Sequence, residues 1–205
     1  MLPAVHLLTA PGREAILAGT LASWDAADWG VRPVIHRDEG RAATAAERIP
    51  AAWCAMLRAA LAAGAGAHLL LLEDDLAFHP RLAARLAAWE PLRAGAVATF
   101  ASLYNPGIRP LAGARPAFAG CFVADPRAVS GAQALVLARA FGERAVACWA
   151  DFAGLPTSFR LALLAARDFP GAPLYYHAPS LVQHTATFSA WGAALHRAED
   201  FDPLS

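Results

Sequence analysis

The most strongly patterned stretch of the chain is HLLLL at 68–72, which comes after Gly64-Ala65-Gly66 and runs directly into Glu73-Asp74-Asp75. A short apolar run without alternation predicts a strand covered on both faces. A similar run at Ala4–Thr9 (AVHLLT) predicts an earlier buried strand, ended by Pro11-Gly12. Between them, Ile16, Leu17, Leu21 and Trp24 fall at helical spacing within 13–29, and Gly30 marks the stop. Residues 31–36 (VRPVIH) predict a second strand, and Pro33 inside it points to a sheet edge or bulge. Arg37-Asp38-Glu39-Gly40 reads as a loop, followed by an alanine-rich helix over 44–63 with Pro50 near its start. After the leucine strand, Pro80 is expected at the first helical position, with His79 as its cap and RLAARLAAWE as the body.

The second half is less regular. Strands are expected at 96–100, 118–124, 133–137 and Leu174–His177, with a loop over 102–110. A short helix is expected at 126–129, and longer ones near 138–145 and 159–167. Strands alternating with helices predict an α/β fold: a mainly parallel central sheet flanked by helices. Ligands of such sheets sit at the carboxyl ends of the strands, where the acidic triplet falls. No repeat or linker divides residues 1–205, so one domain is expected.

Composition narrows the function classes. Seventeen Lys and Arg balance seventeen Asp and Glu, so no general nucleic-acid or anionic-membrane surface is indicated. The three cysteines, Cys54, Cys121 and Cys148, are odd in number and show no CxxC spacing. A disulfide framework or structural zinc site is not expected, and a reducing, cytoplasmic location is the simplest account. No apolar run reaches the roughly 18–20 residues of a membrane span, and the N-terminus lacks the basic start of a signal peptide.

Three adjacent carboxylates after four leucines repel one another and need compensation by a cation, hydrogen bonds or water. A hard divalent cation, Mg2+ or Mn2+, supplies it while keeping waters and substrate phosphates. Helix capping accounts for the triplet poorly, because it lies several residues before Pro80; a solvated turn is the other reading. No GxxxxGK[ST], GxGxxG after a strand, HExxH or GxSxG occurs.

A leucine strand ending in Glu-Asp-Asp resembles the acidic metal motif of GT-A fold glycosyltransferases. The first strand with Thr9-Ala10-Pro11-Gly12-Arg13 and its helix is similar to their nucleotide-binding segment. Pro179-Ser180-Leu181-Val182-Gln183-His184 is similar to the PSL[VF]QH segment of several such enzymes, including the animal N-acetylglucosaminyltransferase IV family. The adjoining Thr185-Ala186-Thr187-Phe188-Ser189 keeps the family's serine and lacks its glycine.

The resemblance implies a GT-A (Rossmann-like) fold and transfer of a sugar from a nucleotide-diphosphate sugar, UDP-linked in preference, to a hydroxyl acceptor. It implies Mn2+ or Mg2+ on Asp75 and His184, with Glu73 a candidate third ligand. Asp74 would serve the metal waters or ribose, and Thr9, Ala10, Arg13 and Asp38 the nucleotide. The acceptor is open: glycan, lipid, protein or modified nucleic-acid base.

An inverting enzyme needs a general base, and Asp151, between Trp149 and Phe152, is the candidate. The families often place an Asp before the helix preceding PSLVQH; here that place reads PTSFR. Tyr104, Asn105, Gly107, Gly120, Gln133, Trp149 and Trp191 are further candidates to face a sugar. Two alternatives stay open. One is a metal-dependent phosphoryl-transfer enzyme, which needs a second acidic cluster; Asp25/Asp28 and Glu199/Asp200/Asp202 are the candidates for it, read as solvated. The other is a non-catalytic sugar-nucleotide-binding domain.

Overall fold

The computed structural model describes residues 2–40, 44–64, 66–106, 120–129, 131–185 and 197–204, and the backbone of 115–118. The first half keeps closely to the hydrophobic pattern. Strand β1 is Ala4–Thr9, helix α1 Glu14–Asp25, strand β2 Val34–Arg37, helix α2 Ala45–Ala63 and strand β3 His68–Glu73. Pro33 falls just before β2, which forms an edge of the sheet. Strand β4, Leu76–Phe78, comes after the triplet; helix α3 is Leu82–Ala88 and helix α4 Glu90–Arg93. The helix after Pro80 therefore starts later than expected, with Arg81 at its N-cap. His79 still serves the turn: its Nδ1 accepts from Arg81 N at 2.9 Å. The expected single helix breaks at Trp89, which is extended, and restarts with Pro91 in the first turn, where a missing N–H costs nothing.

Strand β5 is Phe100–Ser102, β6 Arg115–Phe118, β7 Cys121–Ala124 and β8 Ala134–Ala138. Helix α5 is Arg139–Cys148, α6 Thr157–Asp168, strand β9 Leu174–His177 and β10 Val182–His184. Short 3-10 turns cover Pro126–Ala128 and Trp149–Phe152. Among the described residues eight strands form one sheet in the order β2-β1-β3-β8-β5-β9-β7-β6, and β4 and β10 pair separately. The block β2-β1-β3 is parallel, as is β5-β9. Strand β8 runs antiparallel to both β3 and β5, and β7 is antiparallel to β9 and β6. The sheet is thus mixed where a mainly parallel one was expected. The strand–helix alternation that predicts parallel pairing holds for the first half, while β8 inserts between β3 and β5 in the opposite direction.

The leucine run explains the layers. Leu69 and Leu71 enter one core with α2, α5 and α6; Leu70 and Leu72 enter the other with α1 and α3. All four are essentially inaccessible, each burial contributing about 1.5–3 kcal/mol. Among the described residues no helix is long and apolar enough to cross a membrane.

Histidine burial gives the fold a pH dependence. His177 at the end of β9 is buried, with Nδ1 2.7 Å from Pro179 O. Burial lowers its pKa from 6.5 to about 4, opposed by the Pro179 carbonyl and aided by the charge of Arg85. Above pH 6.5 the ring is neutral whether folded or unfolded, and the shift contributes nothing. Between pH 6.5 and 4 the unfolded chain takes up a proton that the folded chain refuses, so stability falls with falling pH, by about 2 kcal/mol at pH 5. Urea unfolding at pH 7.5 and pH 5 is expected to show a larger loss for the wild type than for His177→Gln; equal losses refute this.

Candidate active site

The parallel block sets the site. In parallel strands the carboxyl ends lie on one side, so Thr9, Arg37 and Glu73 come together: Thr9 is level with Arg37, and Leu8 with Glu73. The segments leaving these three strands therefore share one rim: Ala10 to Arg13 after β1, Asp38 after β2 and the rest of the triplet after β3.

Asp74 is buried and fully engaged. Thr9 Oγ1 donates to its Oδ2 at 2.5 Å. Arg13 Nε donates to Oδ1 and Oδ2 at 2.8 and 2.9 Å, and Arg13 Nη2 to Oδ1 at 2.6 Å. Its main-chain carbonyl accepts from Thr20 Oγ1 at 2.5 Å, and Thr20 accepts in turn from Leu76 N at 3.0 Å. Charge-assisted bidentate pairing of this kind is both strong and directional. Asp74 therefore fastens β1, α1 and β3 to one another, and has no free oxygen for the waters or ribose expected of it.

Asp75 differs. Its Oδ2 accepts from Arg13 Nη2 at 2.7 Å and lies 3.3 Å from His184 Nε2. Its Oδ1 is buried and has no hydrogen-bond partner. Burial opposes ionisation of this carboxyl, but the hydrogen bond and charge of His184, with Arg13, hold its pKa below the ordinary value. Arg13 is kept charged chiefly by its hydrogen bonds to Asp74. Glu73 is half-buried, and its pKa is pushed up to about 8 by desolvation and then by Asp75, against the pull of His184 and Arg13. Glu73 and Asp75 are thus shifted in opposite directions, desolvation prevailing at Glu73 and the charges of His184 and Arg13 at Asp75.

His184 arrives through the β4–β10 ribbon. The register places His184 opposite Leu76, and Thr185 N donates to Asp75 O at 2.8 Å. The buried Tyr104 meets the His184 ring edge-on, centroids 6.2 Å apart; burial, and then the charge of Asp75, raise its pKa. Neither β4 nor β10 was foreseen. Thr20 was also missed, although it shares the buried stripe of Leu17 and Trp24, and a hydroxyl in such a stripe needs a partner.

Asp38 lies at the same rim: its N donates to Thr9 O at 2.7 Å. Its carboxylate is used internally, accepting from Gly40 N at 2.9 Å and pairing with Arg48. Asp151 is not brought to this cluster by any described contact. It is exposed in its 3-10 turn and paired with Arg167 Nη1 at 2.9 Å, so it lacks the aromatic enclosure expected of it. Trp149 is a core residue, stacked on Trp53. Gly120 takes a left-handed turn (φ 75°), with its carbonyl accepting from Trp89 Nε1. Gln133 O accepts from Glu73 N at 2.9 Å, which brings the start of β8 to the rim. Gly107, Trp191 and residues 186–189 lie outside the described residues.

Among the described residues no group of three or more His, Cys, Asp and Glu side chains is placed to hold a metal ion. Asp75 and His184 do offer an oxygen and a nitrogen donor side by side. Two protein donors with one orphaned carboxylate oxygen fit a hard divalent cation that keeps waters and phosphate oxygens, and do not fit a closed structural site. The chain is thus an α/β protein with a buried acidic cluster at the carboxyl rim of its sheet. No protein-family model and no curated protein sequence matches it.

The Thr20 bridge is testable. Thr20→Val leaves Asp74 O and Leu76 N buried without their shared partner, and should cost about 1–3 kcal/mol. Chemical denaturation measures it, and a loss below about 0.5 kcal/mol would show the bridge to be dispensable.

Proposed function

We propose that this chain is a metal-dependent glycosyltransferase of the GT-A type, moving a sugar from a nucleotide-diphosphate sugar to a hydroxyl acceptor. A UDP-linked donor is the favoured form. One observation carries the reading: the buried, unpartnered Asp75 Oδ1 beside His184, at the carboxyl end of the central leucine strand. Supporting it, the EDD and PSLVQH segments lie about a hundred residues apart in sequence, and their Asp75 and His184 are 3.3 Å apart.

Breaking the anomeric bond leaves charge on the departing diphosphate. Bound at this site, a divalent cation would act as a Lewis acid toward that charge. Asp75 and His184 would hold it, with Asp75 kept ionised by His184 and Arg13. Asp74 contributes rigidity: with Thr9, Arg13 and Thr20 it fixes the backbone from which Asp75 projects, and a fixed donor has no reorganisation to undergo during reaction. Arg13, only partly buried and held between Asp74 and Asp75, places positive charge at the rim where the diphosphate would approach. Thr9, Ala10 and Asp38, at the carboxyl ends of β1 and β2, would lie nearest the nucleoside.

Thermal shift with a panel of nucleotide sugars, with and without Mn2+, tests the reading. A UDP- or GDP-sugar at a hundred times its Kd should raise Tm by roughly 5–10 °C in the presence of metal, and Asp75→Ala should abolish the rise. No metal-dependent shift with any donor would sink the proposal. Release of free sugar from the shifting donor separates a transferase from a binding domain. Cleavage of a phosphodiester without sugar release would favour phosphoryl transfer.

A further inference from the structure

The strand bearing His184 is only three residues long, and among the described residues it pairs with β4 alone. Such a short pairing cannot hold a ligand in place by itself, since two-stranded ribbons are marginal in isolation. Backbone bonds from Thr185 N to Asp75 O and from Leu181 N to Leu103 O hold the strand's two ends, and side-chain supports come from the segment 197–204. Gln183 Oε1 accepts from Ala198 N at 2.9 Å and from His184 N at 3.1 Å, and Gln183 Nε2 donates to Ala198 O at 3.0 Å. One side-chain amide thus joins Ala198 to the backbone of His184.

Two residues further on, Asp200 uses both carboxylate oxygens. Ser180 Oγ donates to Oδ1 at 2.5 Å, and Asn105 Nδ2 donates to Oδ2 at 3.0 Å. Ser180 Oγ also accepts from Asn105 N at 3.0 Å, and Asn105 Nδ2 donates to His177 O as well. Ser180 and Asn105 are almost completely buried. Asn105 comes directly after Tyr104, whose ring meets His184, and Ser180 leads into β10. Asp200, read from sequence as a solvated acid, is therefore the anchor of a buried polar network flanking the ligand-bearing strand on both sides.

We propose that Asp200 is a positioning residue of the site: through Ser180 and Asn105 its carboxylate fixes the strand that carries His184 and the loop that carries Tyr104. The inference rests on the reading of Asp75 and His184 as the cation-holding pair. Groups that orient a metal-binding histidine typically change metal affinity by 10–100-fold when removed, and a buried network of this kind fails as a unit.

The test uses the full chain with Asp200→Ala and, as a milder change, Ser180→Ala. His184 imidazole resonances are followed by NMR, Mn2+ affinity by calorimetry, and Tm alongside. Both variants should shift the His184 resonances and weaken Mn2+ about tenfold at a temperature where they remain folded, and the double variant should lose little more than either single one. A fall in Tm with unchanged His184 resonances would mean a merely structural role and would overturn the proposal. If the wild type binds no Mn2+, the functional reading fails, while the His184 resonances still decide whether Asp200 positions that ring.

Discussion

The arrangement of this protein turns on how Asp74 is satisfied. Burying a carboxylate next to two others is unfavourable unless its oxygens are filled and a cation stands beside it. Thr9 and Arg13 fill them, and Thr20 takes the main-chain carbonyl. Each partner comes from a different part of the first parallel unit: the end of β1, the start of α1 and the middle of α1. The interaction that makes the charge tolerable is therefore the same one that fixes the strand–helix–strand geometry. It also frees Asp75, because Arg13 is committed mainly to Asp74 and only one of its nitrogens reaches further.

Much of this was legible in the chain, for identifiable reasons. Strands β1, β3 and β9 are apolar runs with clear ends, and they fall within a residue of where the pattern places them. The helices α1, α2, α5 and α6 carry a 3.6-residue stripe that no long-range partner has to supply. The gathering of Thr9, Arg13, Asp38, Asp74 and Asp75 at one rim reflects parallel pairing plus the residue order, whereas His184 reaches it through the β4–β10 ribbon. Strands β4 and β10 were invisible because each is three residues long and exists only through the other, about a hundred residues away. The shift of β5 toward Phe100–Ser102 has a similar origin, since its register is set by β8 and β9.

The roles within the cluster were less legible than its membership. Which of two adjacent aspartates is spent and which is open depends on where a single guanidinium lies, and nothing in the order Glu-Asp-Asp specifies that. The setting of Asp151 differs from the expected one for a related reason: flanking aromatics in sequence imply enclosure only if the turn faces them inward, and here Trp149 turns into the core while the carboxylate pairs with Arg167. Asp200 was passed over because an acid beside other acids near a chain end looks solvated, and its buried partners lie 20 and 95 residues away.

The position of β3 at the heart of the sheet has a consequence for how the chain reaches this state. Both of its neighbours are remote: Leu72 aligns with Leu7 on one side and Leu69 with Leu137 on the other. No local hairpin shelters it, and the Thr9–Asp74 contact likewise spans 65 residues. Closing such large loops before any pairing is gained makes for slow folding. Until β1 and β8 arrive, LLLL is an unpaired, uncharged, strongly apolar segment of the kind that self-associates. The three acids immediately after it then act in the nascent chain as gatekeepers, their mutual repulsion discouraging strand-to-strand stacking between copies. The charges that the folded protein gathers with such care at its rim thus have an earlier use, in keeping copies of the chain apart long enough for each to fold.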